Sequence, residues 1–249
     1  MTTDSPINQV TELTFSGKHI FARMVEGVRR FNIRERTVVV NVGAEDAHIL
    51  EEPVKALRPF NSTILQDVVI DGADRLVLIS VTEERNLGRI LQEPGWQLYW
   101  ELLTAQLGPE AAAATGYRKE TPLWRSSQDT IGTVALDPRR ATGRGDAPLA
   151  LETFTIKVNL WFAPGGTDCA IHDIHDFIEV HTQVYGNGRM QKFREPTLST
   201  LYQDTPMAPG YTTPETFCSV SEDGSFHYPW HQYYADNDCI WLAVEYHRA

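Results

Sequence analysis

Ile171-His172-Asp173-Ile174-His175-Asp176-Phe177-Ile178-Glu179-Val180-His181-Thr182-Gln183-Val184-Tyr185-Gly186-Asn187-Gly188 sets three imidazoles and three carboxyls within the ten residues 172–181. Successive side chains of a strand alternate faces, so residues of equal parity share one. Asp173, His175, Glu179, His181 and Gln183 share a parity, and His172 has the other. The closing Tyr185-Gly186-Asn187-Gly188 predicts a hairpin, because Asn-Gly supplies the positive φ of a type I′ turn. Strand, tight turn and second strand would aim imidazoles and carboxylates into one cavity. Ionised carboxylates are seldom buried unless paired or bound to a cation, so an inward Glu179 among imidazoles points to a divalent metal.

Around this stretch the texture is that of an all-β unit. Phe154 to Phe162 reads as a long strand, Pro164-Gly165-Gly166 as a turn, and Met190 to Phe193, Phe226 to Pro229 and Ile240 to Tyr246 as further strands. About six short strands within about 100 residues indicate a small sandwich or barrel. Thr205 to Pro214 is rich in Pro and Thr, too irregular for a regular element, and placed where a lid would lie. Pro138 to Pro148 concentrates turn and basic residues and marks the best boundary. The reading divides the chain into a mixed β/α region over 1–137, a linker over 138–150 and a barrel over 151–249.

The first region lacks a comparable cluster. Its opening dozen residues are polar and expected to be loose. Thr37 to Val42 is β-branched and reads as a buried strand; Val68 to Ile70 and Leu76 to Val81 flank Asp71-Gly72-Ala73-Asp74 and read as a hairpin. A helix is expected after Pro94, with Trp96, Tyr99, Trp100, Leu103 and Leu107 at three- and four-residue spacing, and a second over Glu110 to Ala114. That aromatic stripe is expected to face a core or a dimer interface. No internal repeat is visible.

Composition narrows the function classes. A net charge of −11 disfavours nucleic acid and anionic membranes. From Leu151 onward there are 13 acidic against 5 basic side chains and six of the eight histidines, so the chemistry is expected there. No run approaches the roughly 20 apolar residues of a membrane helix. The start shows no basic segment followed by an apolar one, and three widely spaced cysteines make a poor disulfide framework, so a cytoplasmic location is expected. Gly-rich phosphate loops, nucleophile elbows and His-Glu-x-x-His are missing from the sequence.

Two spacings resemble the cupin superfamily. In its first motif a His-X-His is followed after three or four residues by Glu and six residues later by Gly; here His175, Glu179 and Gly186 fall in that register. Its second motif resembles Gly224, Pro229, His231 and the strand Ile240 to Val244, with a shortened Pro-to-His spacing. The resemblance covers Thr153 to Tyr246, about two fifths of the chain. It implies a mainly β protein whose second half is a cupin-type antiparallel β-barrel. The first half is then either a degenerate second cupin fold or a helix-and-sheet extension. It further implies a metal held by His175, Glu179 and His231, with Asp173 or His172 as the fourth ligand. In cupin register that position falls on Asp173, and strict alternation also favours it; a bulge would be needed to bring in His172.

The expected activity is that of a metal-dependent enzyme acting on a small organic molecule. Two imidazoles and a carboxylate leave open positions on ferrous iron, so a non-haem Fe(II) oxygenase leads, with Mn, Ni and Zn as other metals. Isomerase, epimerase or lyase chemistry, and a non-catalytic ligand-binding barrel, are the alternatives. Glu179 and His181 are the candidate catalytic groups; Gln183, Arg189 and Tyr233 are the candidate substrate contacts. A homodimer is expected.

Overall fold

Side-chain alternation along three long strands sets the architecture, and these strands lie side by side. A computed structural model describes residues 7–83, 85–143, 149–213 and 216–249. The first half contributes β1 (Gln9–Glu12), β2 (Ile20–Glu26), β3 (Phe31–Ile33), β4 (Thr37–Asn41), β5 (Ala47–Ile49), β6 (Lys55–Leu57), β7 (Ser62–Leu65), β8 (Val68–Asp71) and β9 (Arg75–Val81). Then come β10 (Gln97–Leu98), α1 (Tyr99–Leu107), α2 (Pro109–Ala114), β11 (Trp124–Arg125), β12 (Asp129–Leu136) and α3 (Pro138–Ala141). The second half holds β13 (Glu152–Ala163), β14 (Ile178–Tyr185), β15 (Gly188–Phe193), β16 (Leu201–Met207), β17 (Ser219–Val220), β18 (Phe226–His227), β19 (Trp230–Ala235) and β20 (Cys239–Arg248).

In β13, β14 and β20 both faces are buried, but with different company. Phe154, Ile156, Val158 and Leu160 of β13, Ile178 and Val180 of β14, and Leu242 and Val244 of β20 join one apolar core. That core also takes Ile20, Ala22, Val38, Val40, Val77 and Ile79 from the first half, so the two halves are packed back to back. The opposite parity of the same three strands, Trp161, Glu179, His181, Trp241 and Glu245, looks into a cavity. One sheet thus serves as partition: oily on one side, lined by carboxyl, imidazole and indole groups on the other.

Strand order repeats between the halves. The first half has sheets β1-β2-β9-β4-β7 and β3-β8-β5-β6; the second has β10-β11-β13-β20-β14, with β12 also on β13, and β16-β15-β19. β2-β9-β4 recurs as β13-β20-β14, and β8-β5-β6 as β19-β15-β16. Where β3 lies on β8, the second half has only the single bridges Asp168↔Tyr234 and His172↔His231. The mainly β chain forms a jelly roll in each half, as two facing sheets that are not hydrogen-bonded into a closed barrel among the described residues. The repeat, invisible in the sequence, is one of topology. Between the sheets of the first half, Val25, Ile33, Val39, Ile49, Ile70 and Leu78 fill the space that the second half leaves as a cavity.

Several expectations are corrected. The Asn187-Gly188 hairpin is a corner: β14 pairs with β20 and β15 with β16 and β19, so the chain crosses from one sheet to the other. Gly186 makes that corner at φ 72, where a Cβ would stand 2.0 Å from the Asp238 carbonyl oxygen. Asp71 to Asp74 is a corner of the same kind, β8 and β9 belonging to different sheets. At these two corners, β8 to β9 and β14 to β15, the strand–turn–strand pattern marks a crossing between sheets. β1 orders part of the opening dozen residues, of which 1–6 lie outside the described residues. The expected linker over 138–150 does not divide the sheets, because β12 before it pairs with β13 after it; residues 144–148 are outside the description. Most of Thr205 to Pro214 is structured: its start is the end of β16, and Pro214 lies outside the described residues. No helix among the described residues is long and apolar enough to cross a membrane.

Candidate metal centre

β14 begins only at Ile178, so the alternation argument has no strand to act on at residues 172–177. Ala170 adopts the left-handed conformation at φ 64 and redirects the chain just before the cluster. His172 then bridges to His231 of β19: its N–H donates to the His231 carbonyl at 3.0 Å, and the His231 N–H donates back at 2.9 Å. Residues directly opposed in an antiparallel pair project their side chains to the same side. His231, fully buried on the inner face, therefore brings His172 in beside it.

The three imidazoles His172, His175 and His231 form the one group of potential ligands found within 4.8 Å of one another among the described residues. His172 Nε2 lies 3.0 Å from His175 Nε2, which lies 3.3 Å from His231 Nε2. His172 Nδ1 is 3.0 Å from the Ala170 carbonyl oxygen and His231 Nδ1 is 2.9 Å from that of Pro229. A carbonyl can only accept, so both Nδ1 atoms carry the proton and both neutral rings present a lone pair at Nε2. His175 can donate to only one of them. At least one pair of lone pairs is left in confrontation, which a shared cation removes. Nitrogens about 2.0–2.1 Å from one ion stand about 3 Å apart, as these do. The donor set fits a divalent metal.

Glu179 completes the ring of groups. Its Oε2 is 3.9 Å from His175 Nε2 and its Oε1 is 3.6 Å from His181 Nε2. Tyr228 anchors it: the phenol accepts from the Glu179 N–H at 2.9 Å and donates to the Phe177 carbonyl at 2.9 Å. Burial, and after it the nearby Glu245, push the Glu179 carboxyl well above the usual range. Burial, followed by the neighbouring imidazoles, pushes His175 down to about 2, and burial with His172 pushes His181 to about 3. Burial likewise lowers His172 and His231. These directions describe a metal-free pocket; a bound cation would reverse the direction for Glu179, favouring its carboxylate, and reinforce it for the imidazoles, which it binds in their neutral form.

The cavity of about 540 Å³ beside these groups is walled by aromatic side chains. Tyr99 packs edge-on against Tyr117 and Trp161 with centroids 4.7 Å apart in each case. α1 and the residues after α2 cover the mouth through Leu103, Leu107 and Tyr117. The Tyr99/Leu103/Leu107 stripe thus faces the cavity, with Leu103 buried and Tyr99 packed against the cluster of Leu123, Tyr233 and Trp241, in keeping with the expected inward face; among the described residues none of Thr205–Pro214 lines this cavity. Trp96 differs, packing against the shared core.

The structure places the sequence-derived candidates unevenly. His172, His175 and His231 come together, and Glu179, His181 and Tyr233 line the same cavity. Asp173 lines the cavity but stands outside the imidazole group, so the preference for Asp173 over His172 is corrected. Gln183 is buried away from the cavity, its amide donating to the Tyr185 carbonyl at 2.7 Å. Arg189 is a surface side chain held by Asp236 at 2.8 Å and Asp204 at 2.8 Å, and it reaches no cavity ligand. Tyr228, Trp161 and Glu245 were not singled out for the site; their even or odd parity on buried strands carries no chemical label. Glu245 accepts from Gln128 and Asn159 at 3.0 Å each and faces His247 Nε2 at 2.8 Å.

Several solved structures show a distant likeness to this chain. A variant of Bacillus subtilis oxalate decarboxylase has TM-score 0.31 and 9% identity, covering 100% of this chain and 76% of that one. Ectoine synthase from P. lautus has TM-score 0.28 and 12% identity, covering 54% and 71%. A cupin 2 conserved barrel domain protein from Leptotrichia buccalis has TM-score 0.29 and 7% identity, covering 97% and 91%. The chain spans 66% of a conserved Streptococcus pyogenes protein of unknown function. No protein-family model matches the chain, and no curated protein matches it.

Proposed function

We propose that this chain is a metal-dependent enzyme acting on a small organic molecule, with His172, His175, His231 and Glu179 as protein ligands. The observation that carries the reading is the convergence of three Nε2 atoms, two with their Nδ1 protons committed to backbone carbonyls. Rings so oriented need no reorganisation to bind. Fe(II) is the metal of choice for this reading, with Mn, Ni and Zn as competitors, and it would supply a site for O₂ beside the substrate in an oxygenase. The chain itself contributes the remainder. Phe177 and Tyr228 pack on His175 at centroid distances of 5.1 and 4.7 Å, and Phe217 packs on His231 at 4.8 Å, which excludes water from the imidazoles. α1 closes over the substrate space.

The Glu179–His181 pair supports a second reading. A carboxylate 3.6 Å from an imidazole at the cavity wall can hold or move a proton, as isomerase, epimerase or lyase chemistry requires. Metal analysis of protein purified without chelator tests the common part: stoichiometric metal, lost in His172→Ala and His231→Ala, is expected. Folded parent protein without metal after supplementation with Fe, Mn, Ni and Zn would sink it. O₂ uptake with turnover then selects oxygenase; turnover without O₂ selects the acid–base reading; binding without turnover selects a ligand-binding module.

A further inference from the structure

We infer that the molecule taken by the 540 Å³ cavity is uncharged and ring-bearing, and that carboxylate- or phosphate-bearing molecules are rejected. This rests on the metal-site reading and names its substrate class. The walls argue for rings. Tyr99, Tyr117 and Trp161 form a connected edge-to-face set, and Trp230, Trp241 and Phe177 add further aromatic surface. Aromatic walls offer a flat ligand both stacking and edge contacts. The volume accommodates a two-ring compound. At the rim Leu107 and Ile174 stand 51% and 87% exposed, apolar side chains placed where an apolar ligand enters.

The charges argue for neutrality. Among the described residues no Lys or Arg lines the cavity, whereas Asp173, Glu179 and Glu245 do. Of the neighbouring guanidiniums, Arg118 pairs with Asp168, and Arg125 lies outside the lining, behind the wall, 5.9 Å from the Trp161 ring centroid. An entering carboxylate would lose its hydration beside fixed carboxylates with no side-chain cation to replace it. An ammonium fares no better at the buried carboxyls, because Glu245 already accepts from Gln128 and Asn159 and Glu179 faces the metal; Asp173 is only partly buried, next to the rim residue Ile174.

The test compares 2-naphthamide, 2-naphthoate and 2-naphthylmethylamine, which share a ring system and differ in charge. Binding to the full-length protein is read by tryptophan fluorescence and calorimetry, in metal-loaded and chelator-stripped samples. The amide is expected to bind at least tenfold more tightly than either ion in the loaded protein, and Leu103→Trp, or the milder Leu103→Phe, to weaken it at least tenfold while metal content stays unchanged. Equal or tighter binding of the naphthoate or the amine, binding of none of the three, or indifference to both Leu103 replacements overturns the assignment. If the parent proves metal-free yet keeps the amide preference, the metal reading fails and the ligand class stands.

Discussion

His172 and His231 exchange both backbone hydrogen bonds, at 3.0 and 2.9 Å, across a single isolated bridge. This reciprocal pair decides which residue of His172-Asp173 joins the imidazoles. His172→Ala is expected to lower metal affinity by more than the roughly 10–100-fold that loss of an outer hydrogen-bond partner costs. Asp173→Ala, outside the group, is expected to leave metal content at the parent level. Metal stoichiometry in the two purified variants checks this; equal loss in both would refute the placement.

Tyr228 holds the start of β14 through one hydroxyl that serves Glu179 N–H and the Phe177 carbonyl. Tyr228→Phe leaves a buried donor and acceptor unpaired, at a cost of about 1–3 kcal/mol. Because Glu179 is the residue released, metal affinity should fall together with the melting temperature. A variant that melts early but binds metal as the parent does would show that Tyr228 acts on stability alone.

Gly186 turns the chain from one sheet to the other at φ 72, with the Asp238 carbonyl where a Cβ would go. Gly186→Ala combines a left-handed backbone penalty of about 1–2 kcal/mol with a backbone clash. Denaturant unfolding should register a loss of at least about 2 kcal/mol, and a neutral result would mean that the corner relaxes.

What could be read from the sequence followed the physics of each signal. Buried strands over Thr37–Asn41, Glu152–Ala163 and Cys239–Arg248 were legible because β-branched and apolar runs report burial directly. So were His175 and Glu179 as cavity groups, and His231 as the buried imidazole beside them, through their spacing. Strand partners were not legible: Asn187-Gly188 and Gly72 mark a reversal of direction, and nothing local tells a hairpin from a crossing between sheets. His172 was underrated because parity counts from a strand that starts six residues later, past the left-handed Ala170. The helix stripe of Tyr99, Leu103 and Leu107 reported an apolar face correctly, without reporting that a cavity lay beneath it.

Asp137 caps α3 and ties it to the chain beyond: its carboxylate accepts from the N–H groups of Arg139 at 2.9 Å, Arg140 at 3.3 Å and Ala150 at 2.9 Å. Burial pushes this carboxyl up, but the backbone donors of Ala150, Arg140 and Arg139 outweigh it and hold it below the usual range. A depressed folded-state value means that the stabilisation is present above the unfolded pKa and is lost as pH falls through the folded one. Asp137→Ala should therefore cost about 1–2 kcal/mol at pH 7, or about 2–8 °C in melting temperature, and the gap should shrink below pH about 4. Thermal melts of parent and variant at both pH values decide it; a pH-independent gap would assign the loss to packing.

The partition sheet has a consequence for how the chemistry is inherited. Phe154, Ile156, Val158, Leu242 and Val244 are shielded from water by residues of the silent half, and β12 completes the edge of β13. A fragment starting at Leu151 would keep every imidazole of the centre and yet expose an oily wall and an unpaired strand, the two features that drive chains to aggregate. The first half is thus the permanent companion that covers the wall behind the imidazole cluster, and Val38, Val40, Val77 and Ile79 are the side chains that fill that seam.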